Sequence, residues 1–330
     1  MPYRSGYDLE LVKKHFAEHG FETVLVSFAD ILPQHLSEWS GRIVVYTSSE
    51  EIDYNYKDFI EDVVYSLELS GAWVIPSFKF LRANNNKVFM ELLRHTLYGN
   101  DSNISSRVFG TYEELGKKVN AGEISFPCVI KRAKGAQSKG VSCARYEAEL
   151  TKVAKSFSRT PHMRREIKDW LRQFKLKGYQ KESRFQNKYI VQPMINGLTN
   201  DWKILIYSNR YYILRRNNRP NDFRASGSGL FSPDKQADFP MKMLDYVEGI
   251  FEKTDVPNLS VDFAYDGNKG YIIEIQAMHF GKSTIYYCNN YCTRVDGKWT
   301  WVDKDECTQE ELYVKSIVDY LKKHSTVCTN

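Results

Sequence analysis

The segment LSVDFAYDGNKGYIIEIQAM, residues 259–278, predicts two β-strands joined by a turn. Residues 266–270 carry the turn chemistry, and the flanking residues alternate as those of a half-buried strand do. If this five-residue loop closes the hairpin, Tyr265 pairs with Tyr271, and counting outward places Asp262 opposite Glu274. One face then takes the apolar residues Val261, Phe263, Tyr265, Tyr271, Ile273 and Ile275. The other face takes Asp262, Ala264, Ile272, Glu274 and Gln276.

The second face of this hairpin has the chemistry of a metal site. Opposed Cβ atoms in a sheet lie roughly 5 Å apart, so two carboxylates there repel unless one is protonated or a cation lies between them. The oxygens of Asp262, Glu274 and Gln276 suit a hard divalent cation, and Mg²⁺ usually keeps phosphate and water as further ligands. A hydrated acidic face on an outer hairpin is the alternative.

A lysine and a glycine loop lie further upstream, in FPCVIKRAKGAQSKGVSCARY, residues 126–146. Lys131 ends an apolar strand, and the loop at 135–140 follows it. Glycine lets backbone N–H groups approach phosphate oxygens, and Ser138 adds a donor. The order of residues is not that of a P-loop. A loop that only connects two strands is the alternative.

The segment NNRPNDFRASGSG, residues 217–229, is too polar to be core. A long polar loop in a compact domain is often functional. Arg224 within it has the chemistry to hold a phosphoryl group or an acyl phosphate. An ordinary solvent loop is the alternative.

The composition is that of a globular protein, with 42% hydrophobic and 26% charged residues among 330, which excludes a disordered chain or a fibre. No apolar run reaches the length of a membrane span, and the six cysteines are scattered, so we expect a soluble, cytoplasmic protein without zinc. Net charge is +5, but residues 151–188 carry 12 Lys or Arg against three acidic residues. This basic stretch indicates either an anionic partner or a solvated helical face.

The remaining chain predicts a mixed α/β protein. Over residues 1–82 helices alternate with short strands, which is typical of a small parallel unit. Its predicted elements are a helix at 7–19, strands at 23–28, 42–47 and 72–76, and a helix at 55–70. Further on we predict helices at 86–98, 241–253 and 308–323, mainly helix at 149–177, a strand at 188–195 and a hairpin at 201–218 turning at Ser208-Asn209.

The order of these segments resembles the ATP-grasp superfamily, the fold of D-alanine–D-alanine ligase and glutathione synthetase, and most of all the branch that adds amino acids to carboxyl termini. The resemblance covers roughly residues 83–285. It implies an N-terminal pre-ATP-grasp α/β domain at 1–82, a lid subdomain at 83–195 and an antiparallel-sheet subdomain at 196–330. The implied activity is an ATP-dependent carboxylate–amine ligase that passes through an acyl phosphate.

The resemblance also assigns site residues by matching positions. It implies ATP contacts for Lys87 and Lys131, for the lid loop residues Gly135, Ser138 and Gly140, for Gln192 and Met194 at the adenine, and for Asp201 at the ribose. Lys203 stands near the phosphates where family members often carry Arg. Arg224 matches the residue that stabilises the acyl phosphate, and Ser226 stands where Asn is common. The metal ligands for Mg²⁺ or Mn²⁺ are Asp262, Glu274 and Gln276.

This sequence departs from the family pattern in three places. Gln276 replaces the usual Asn, which keeps the amide oxygen but adds a methylene. The segment between Lys131 and Gln192 is long, and its basic residues 151–188 are interpreted as an insertion lining the site of an anionic substrate. No strand precedes the first helix, so we expect a shortened N-terminal sheet.

The expected partners are a small-molecule or peptide carboxylate and an amine, with no membrane and no nucleic acid, and the family implies a homodimer. Two other functions fit the same motifs. An ATP-grasp kinase would transfer phosphate and stop. A non-catalytic module would bind nucleotide or nucleic acid, although the retained Asp262, Glu274, lysines and Arg224 favour an enzyme.

Overall fold

The computed structural model describes residues 6–49, 55–135, 140–233, 238–278, 280–281 and 283–325. Within these ranges no helix combines the length and apolar character needed to cross a bilayer.

The N-terminal unit is small. Its elements are helix α1 (Leu9–Glu18), strand β1 (Ile43–Val45), helix α2 (Asn55–Leu69), strand β2 (Trp73–Ile75) and helix α3 (Phe78–Ala83). The side chain of Asp8 caps α1 by accepting from the N–H groups of Glu10 and Leu11. Strands β1 and β2 pair in parallel, as predicted, and form a sheet of two strands among the described residues.

The predicted strand at 23–28 is wrong. Residues 21–27 carry no regular structure, and Val24 is 77% exposed. Alternating apolar residues make a strand only where a neighbour accepts the backbone hydrogen bonds, and here the described sheet ends at β1.

A second sheet, called the lid sheet below, has four antiparallel strands among the described residues. It contains strands β3 (Arg107–Phe109), β4 (Cys128–Arg132), β5 (Val141–Ala144) and β6 (Tyr189–Pro193) in the order β3-β6-β4-β5. Helices α5 (Tyr112–Asn120) and α6 (Glu147–Ser158) cover one face through Leu115, Leu150 and Ala154. Helix α7 (Met163–Lys175) follows α6, so the basic segment is helical as predicted.

The largest sheet is antiparallel and has seven strands among the described residues. These are β7 (Asn200–Tyr207), β8 (Arg210–Asn217), β9 (Phe231–Ser232), β10 (Asn258–Tyr265), β11 (Gly270–Gln276), β12 (Asn290–Val295) and β13 (Lys298–Asp303). Their order is β11-β10-β7-β8-β12-β13, with β9 beside β8. The predicted hairpin turns at Ser208-Asn209, because Tyr207 pairs with Arg210.

Two helical layers cover this sheet. Helices α4 (Lys87–Tyr98) and α8 (Leu244–Thr254) pack on one face, against Ile204 and Ile206. Helix α10 (Gln309–Ser325) packs with the short helix α9 (Ser283–Tyr287) and α1 on the other face, against Leu205 and Tyr207. Because successive side chains of a strand point to opposite faces, β7 contributes alternate residues to the two cores. The three-part division of the chain stays a prediction, although α4, which we assigned to the lid subdomain, packs against the larger sheet.

Candidate active site

Four neighbouring strands of the larger sheet bring polar side chains to one face. Lys203 on β7 is the register partner of Asp262 on β10, and Asp262 is the partner of Glu274 on β11. Asp201 on β7 is likewise the partner of Arg216 on β8. Directly opposed residues of an antiparallel pair point to the same side, so these five side chains share a face.

A β-bulge corrects the predicted faces of the hairpin. Asp262 does lie opposite Glu274, but Tyr265 pairs with Gly270 rather than Tyr271. The register shifts between Asp262 and Phe263, which makes Ile273 the extra residue of β11. As a result Ile272 packs in the core beside Phe263, and Ile273 lines the cavity next to Glu274.

The polar residues form a buried chain of ion pairs. Arg216 donates from Nε to Oδ1 of Asp201 at 2.6 Å and from Nη2 to Oδ2 at 2.8 Å. The same Nη2 lies 2.9 Å from Oδ2 of Asp262, and Nζ of Lys203 lies 2.9 Å from Oδ1 of Asp262. Sequence reasoning missed Arg216, although counting from the Ser208-Asn209 turn already places it opposite Asp201.

The charge state of Asp262 follows from these neighbours. Burial raises the pKa of its carboxyl, but the charges of Arg216 and Lys203 and their hydrogen bonds outweigh burial and hold the pKa below its usual range. Asp262 is therefore a carboxylate at neutral pH.

The three predicted metal ligands have a donor set that fits a hard cation. Asp262 and Glu274 face each other, and the Gln276 amide lies on the same face, donating from Nε2 to Oε1 of Glu274 at 3.3 Å. Oδ1 of Asp262 is buried, and apart from the ion pair with Lys203 it accepts no well-aligned hydrogen bond from a described residue. Nζ of Lys203 also lies 3.4 Å from Oε1 of Gln276, so this group of oxygens already attracts one cation.

The lid sheet supplies the opposite wall. Val129 and Lys131 on β4 pair with Gln192 on β6 and Val141 on β5 respectively, and all four side chains face the cavity. Burial lowers the pKa of the Lys131 ammonium, while the carboxylates of Glu91 and Glu274 oppose that shift.

Lys87 is hydrogen-bonded to the first residue of the glycine loop. Lys87 begins α4, donates from its backbone N–H to the carbonyl of Ala133 at 2.9 Å and from Nζ to the carbonyl of Gly135 at 2.6 Å. Gly140 is not among the residues that line the cavity, and its ATP contact stays a prediction. Its carbonyl accepts from Arg132 N–H at 2.9 Å, and a Cβ there would come within 3.0 Å of the Arg132 side chain. Ser138 lies outside the described residues.

Strand β6 and the residue after it form hydrogen bonds with other protein groups. Gln192 donates from Nε2 to Oγ of Ser106 at 2.7 Å and to Oε1 of Glu91 at 3.1 Å. The backbone N–H of Met194 donates to the carbonyl of Pro127 at 3.0 Å, and the contact of Met194 with the adenine stays a prediction. Sequence reasoning missed Glu91, which also pairs with buried Arg94.

Arg224 connects the polar loop with the lid. Its guanidinium donates to Asp222, from Nη2 to Oδ2 at 2.6 Å and from Nε to Oδ1 at 2.9 Å, and these hydrogen bonds raise its pKa. Nη1 donates to the carbonyl of Val141 on β5 at 3.2 Å. The loop of residues 217–229 is thereby attached to the lid sheet, with Ser226 beside Arg224 at the cavity.

One cavity of about 480 Å³ lies between the two sheets. This is a size that suits a small organic ligand. Twelve of the fourteen predicted site residues line it, namely Lys87, Lys131, Gly135, Gln192, Met194, Asp201, Lys203, Arg224, Ser226, Asp262, Glu274 and Gln276.

No described residue of 151–188 lines the cavity, so the prediction that the basic insertion borders this site is wrong. The segment begins within α6, which packs on the face of the lid sheet away from the cavity, and continues through α7.

Comparison with known proteins identifies the fold. No family model and no curated protein matches the sequence. D-cycloserine synthetase DcsG superposes with a TM-score of 0.50 at 12% identity, over 96% of this chain and 95% of that one. D-alanyl-alanine synthetase A from Vibrio cholerae O1 biovar eltor also gives a TM-score of 0.50 at 12% identity, over 86% of this chain and 77% of that one.

A further similar structure, N5-carboxyaminoimidazole ribonucleotide synthetase, matches with a TM-score of 0.46 and 15% identity over 81% of this chain, which spans 61% of that protein's chain. The two fuller superpositions and the arrangement of the sheets together define the class. The chain has the ATP-grasp fold, as its sequence predicts.

Proposed function

We propose that this protein is an ATP-dependent carboxylate–amine ligase. The observation that carries the proposal is the meeting of Lys87, Lys131, Lys203 and Arg224 with the oxygens of Asp262 and its neighbours in one cavity. Cationic side chains favour a polyphosphate, while the carboxylates favour the divalent cation that accompanies it. The fold shared with two synthetases, D-cycloserine synthetase DcsG and D-alanyl-alanine synthetase A, supports the same proposal.

In the proposed reaction an oxygen of the substrate carboxylate attacks the γ-phosphorus of ATP, and the bond from that phosphorus to ADP breaks. An amine then attacks the acyl carbon of the resulting acyl phosphate. The bond to phosphate breaks, and the nitrogen loses a proton to solvent. The protein's task is to align these groups and to neutralise charge.

The residues of this chain divide that task. Lys87 and Lys131 approach the cavity from the lid side and would offset phosphate charge, while Lys203 does so from the larger sheet. Arg224 would hold the acyl phosphate and the oxyanion formed on attack. Asp262, Glu274 and Gln276 would hold Mg²⁺, which when bound screens the phosphate charges.

The second substrate region is suggested by residues that the sequence did not single out. Phe231, Phe280 and Thr284 line the same cavity. Oγ1 of Thr284 is buried and has no hydrogen-bond partner among the described residues. These groups fit a carboxylate or amine with an apolar portion better than a highly charged one.

The test measures ADP release with ATP and Mg²⁺ over a panel of carboxylates, each with and without amines. We expect release that requires both substrates and yields an amide detectable by mass spectrometry. Asp262→Asn should abolish release. The surface variant Lys253→Met, which loses an exposed pair with Asp101 outside the cavity, should not.

Two results would contradict the ligase. Release with a carboxylate alone, together with a stable phosphorylated product, would identify a kinase. Tight ATP binding without release for any substrate pair would identify a non-catalytic nucleotide-binding module.

A further inference from the structure

Helix α7 displays its apolar face to solvent. Met163, Ile167, Trp170, Leu171 and Phe174 recur with the spacing of one helical face. All are exposed, Met163 by 78%, Phe174 by 75% and Trp170 by 55%. The rings of Trp170 and Phe174 pack edge to face with centroids 5.0 Å apart, which makes a continuous apolar surface.

The polar face of α7 is the one that attaches it to the protein. Asp169 is 4% exposed and accepts from the Tyr179 hydroxyl at 2.7 Å. Glu166 pairs with Arg159 at 2.7 Å and with Arg184 at 3.2 Å. A surface helix normally buries its apolar stripe, so this orientation is inverted and indicates an outside partner for the stripe.

A row of positive charge borders the apolar stripe. At 100° per residue, Arg164, Lys168 and Lys175 fall along one edge of it. All three are exposed, and none forms an ion pair with another described residue. Lys177 continues the basic run directly after the helix. The two acidic residues of α7, Glu166 and Asp169, are both engaged with the protein and do not offset this edge.

We propose that α7 is an interfacial helix that lies flat on a lipid surface containing anionic headgroups. A stripe of Trp, Phe, Leu, Ile and Met beside Lys and Arg is the pattern of helices that insert their apolar face at the boundary between headgroups and acyl chains. Charge complementarity favours this occupant over a second copy, because two copies joined antiparallel through the stripe would bring their basic edges close together, and a parallel pair would leave both edges without a counter-charge. A nucleic acid would satisfy the basic edge but leave the stripe uncovered.

The proposal is independent of the catalytic one, since no described residue of α7 lines the cavity. It departs from the expectation of no membrane partner, but it concerns binding to a lipid surface and not a span, and no described helix is long and apolar enough to cross a membrane.

The test is flotation of the full chain with vesicles of phosphatidylcholine alone or mixed with phosphatidylglycerol. We expect binding to the mixed vesicles that weakens with salt, accompanied by a blue shift of tryptophan fluorescence that Trp170→Phe removes. The double variant Trp170→Gln/Phe174→Gln should lower the partition coefficient at least about tenfold, because it removes both aromatic side chains from the inserted stripe. Replacing Arg164, Lys168 and Lys175 with Gln should lower it roughly a hundredfold on the anionic vesicles.

Leu69→Gln is the matched control, because Leu69 is an equally exposed apolar residue on α2 and its loss should leave binding unchanged. Three results would overturn the proposal. The first is equal vesicle binding by the chain and the Trp170→Gln/Phe174→Gln variant. The second is a chain that does not bind vesicles and is dimeric in solution, with a monomeric double variant, which would assign the stripe to a second copy. The third is salt-sensitive RNA binding, with no vesicle binding, that depends on the basic residues alone.

Discussion

Replacing Arg216 with methionine should destabilise the protein more than almost any other single change at the site. The Arg216 guanidinium makes three contacts at 2.6–2.9 Å, two to Asp201 and one to Asp262. All three side chains are buried. Methionine fills much of the same volume, so the variant isolates the loss of charge from the loss of packing.

The expected magnitude follows from what remains after the change. Two carboxylates would stay buried with Lys203 as the one described cation still in contact with Asp262. Removing one partner of a buried ion pair typically costs about 3–5 kcal/mol, because the other charge is left without compensation. We therefore expect the free energy of unfolding to fall by about 3–5 kcal/mol at neutral pH.

Arg215→Met is the matched control, since it removes the same charge from the next residue of the same strand. Arg215 pairs at 2.7 Å with Asp238, which is half exposed, so its loss should cost about 1 kcal/mol or less. Urea denaturation followed by circular dichroism measures both variants. Adding Asp262→Asn to Arg216→Met should recover part of the loss, because one uncompensated carboxylate is removed.

Equal losses in the two arginine variants would refute this reasoning. They would mean that Asp201 and Asp262 take up protons or water at little cost, and that Arg216 does not hold the face of the site together.

Three further predictions concern the same region. Arg224→Ala should lower turnover about 10²–10³-fold while leaving the Kd for ATP nearly unchanged. Initial rates measure the turnover and calorimetry the Kd, and an equal loss of ATP affinity would contradict the assigned role. The pKa of Asp262 lies below its ordinary value, so the stability that its carboxylate contributes is fully present above the unfolded pKa of ~3.9 and is lost as pH falls through the folded pKa. The free energy of unfolding of Asp262→Asn, measured by denaturation, should therefore fall less steeply with decreasing pH than that of the unchanged protein. Equal slopes for the two proteins would argue against the lowered pKa. Gly270→Ala would place a Cβ 2.7 Å from the Phe263 ring and should lower the free energy of unfolding by about 1–3 kcal/mol. Gly249→Ala, in open space within α8, should raise it by about 0.5–1 kcal/mol. Thermal denaturation should therefore shift the Tm of the two variants in opposite directions.

The hairpin at 259–278 shows how far local pattern determines a site. The prediction of Asp262 opposite Glu274 is confirmed, but through two compensating differences. The turn is one residue shorter than expected, since Tyr265 pairs with Gly270, and the bulge at Ile273 restores the register beyond it. The sequence pattern does not reveal the bulge, because residues 272 and 273 are both isoleucine and either one suits the core.

Long-range contacts account for what the sequence did not indicate. Glu91 meets Gln192 across a separation of 101 residues, and no periodicity connects a helix position with a strand position so distant. The strand predicted at 23–28 fails for the same reason, because its apolar alternation says nothing about whether a neighbouring strand is present. Arg216 is different, because its pairing with Asp201 follows from the hairpin turn and was readable in advance.

The basic insertion shows that the charge of a segment can be predicted from the sequence when its position on the protein surface cannot. Composition correctly indicates that residues 151–188 have surplus positive charge, but charge alone cannot say which surface carries it. The spacing of Met163, Ile167, Trp170 and Phe174 supplies what composition lacks, because it identifies a second, apolar face on the same helix. Since that helix contributes nothing to the cavity, loss of lipid binding and loss of ADP release should respond to different substitutions. A single variant on α7 that abolished both would show that the two surfaces are coupled.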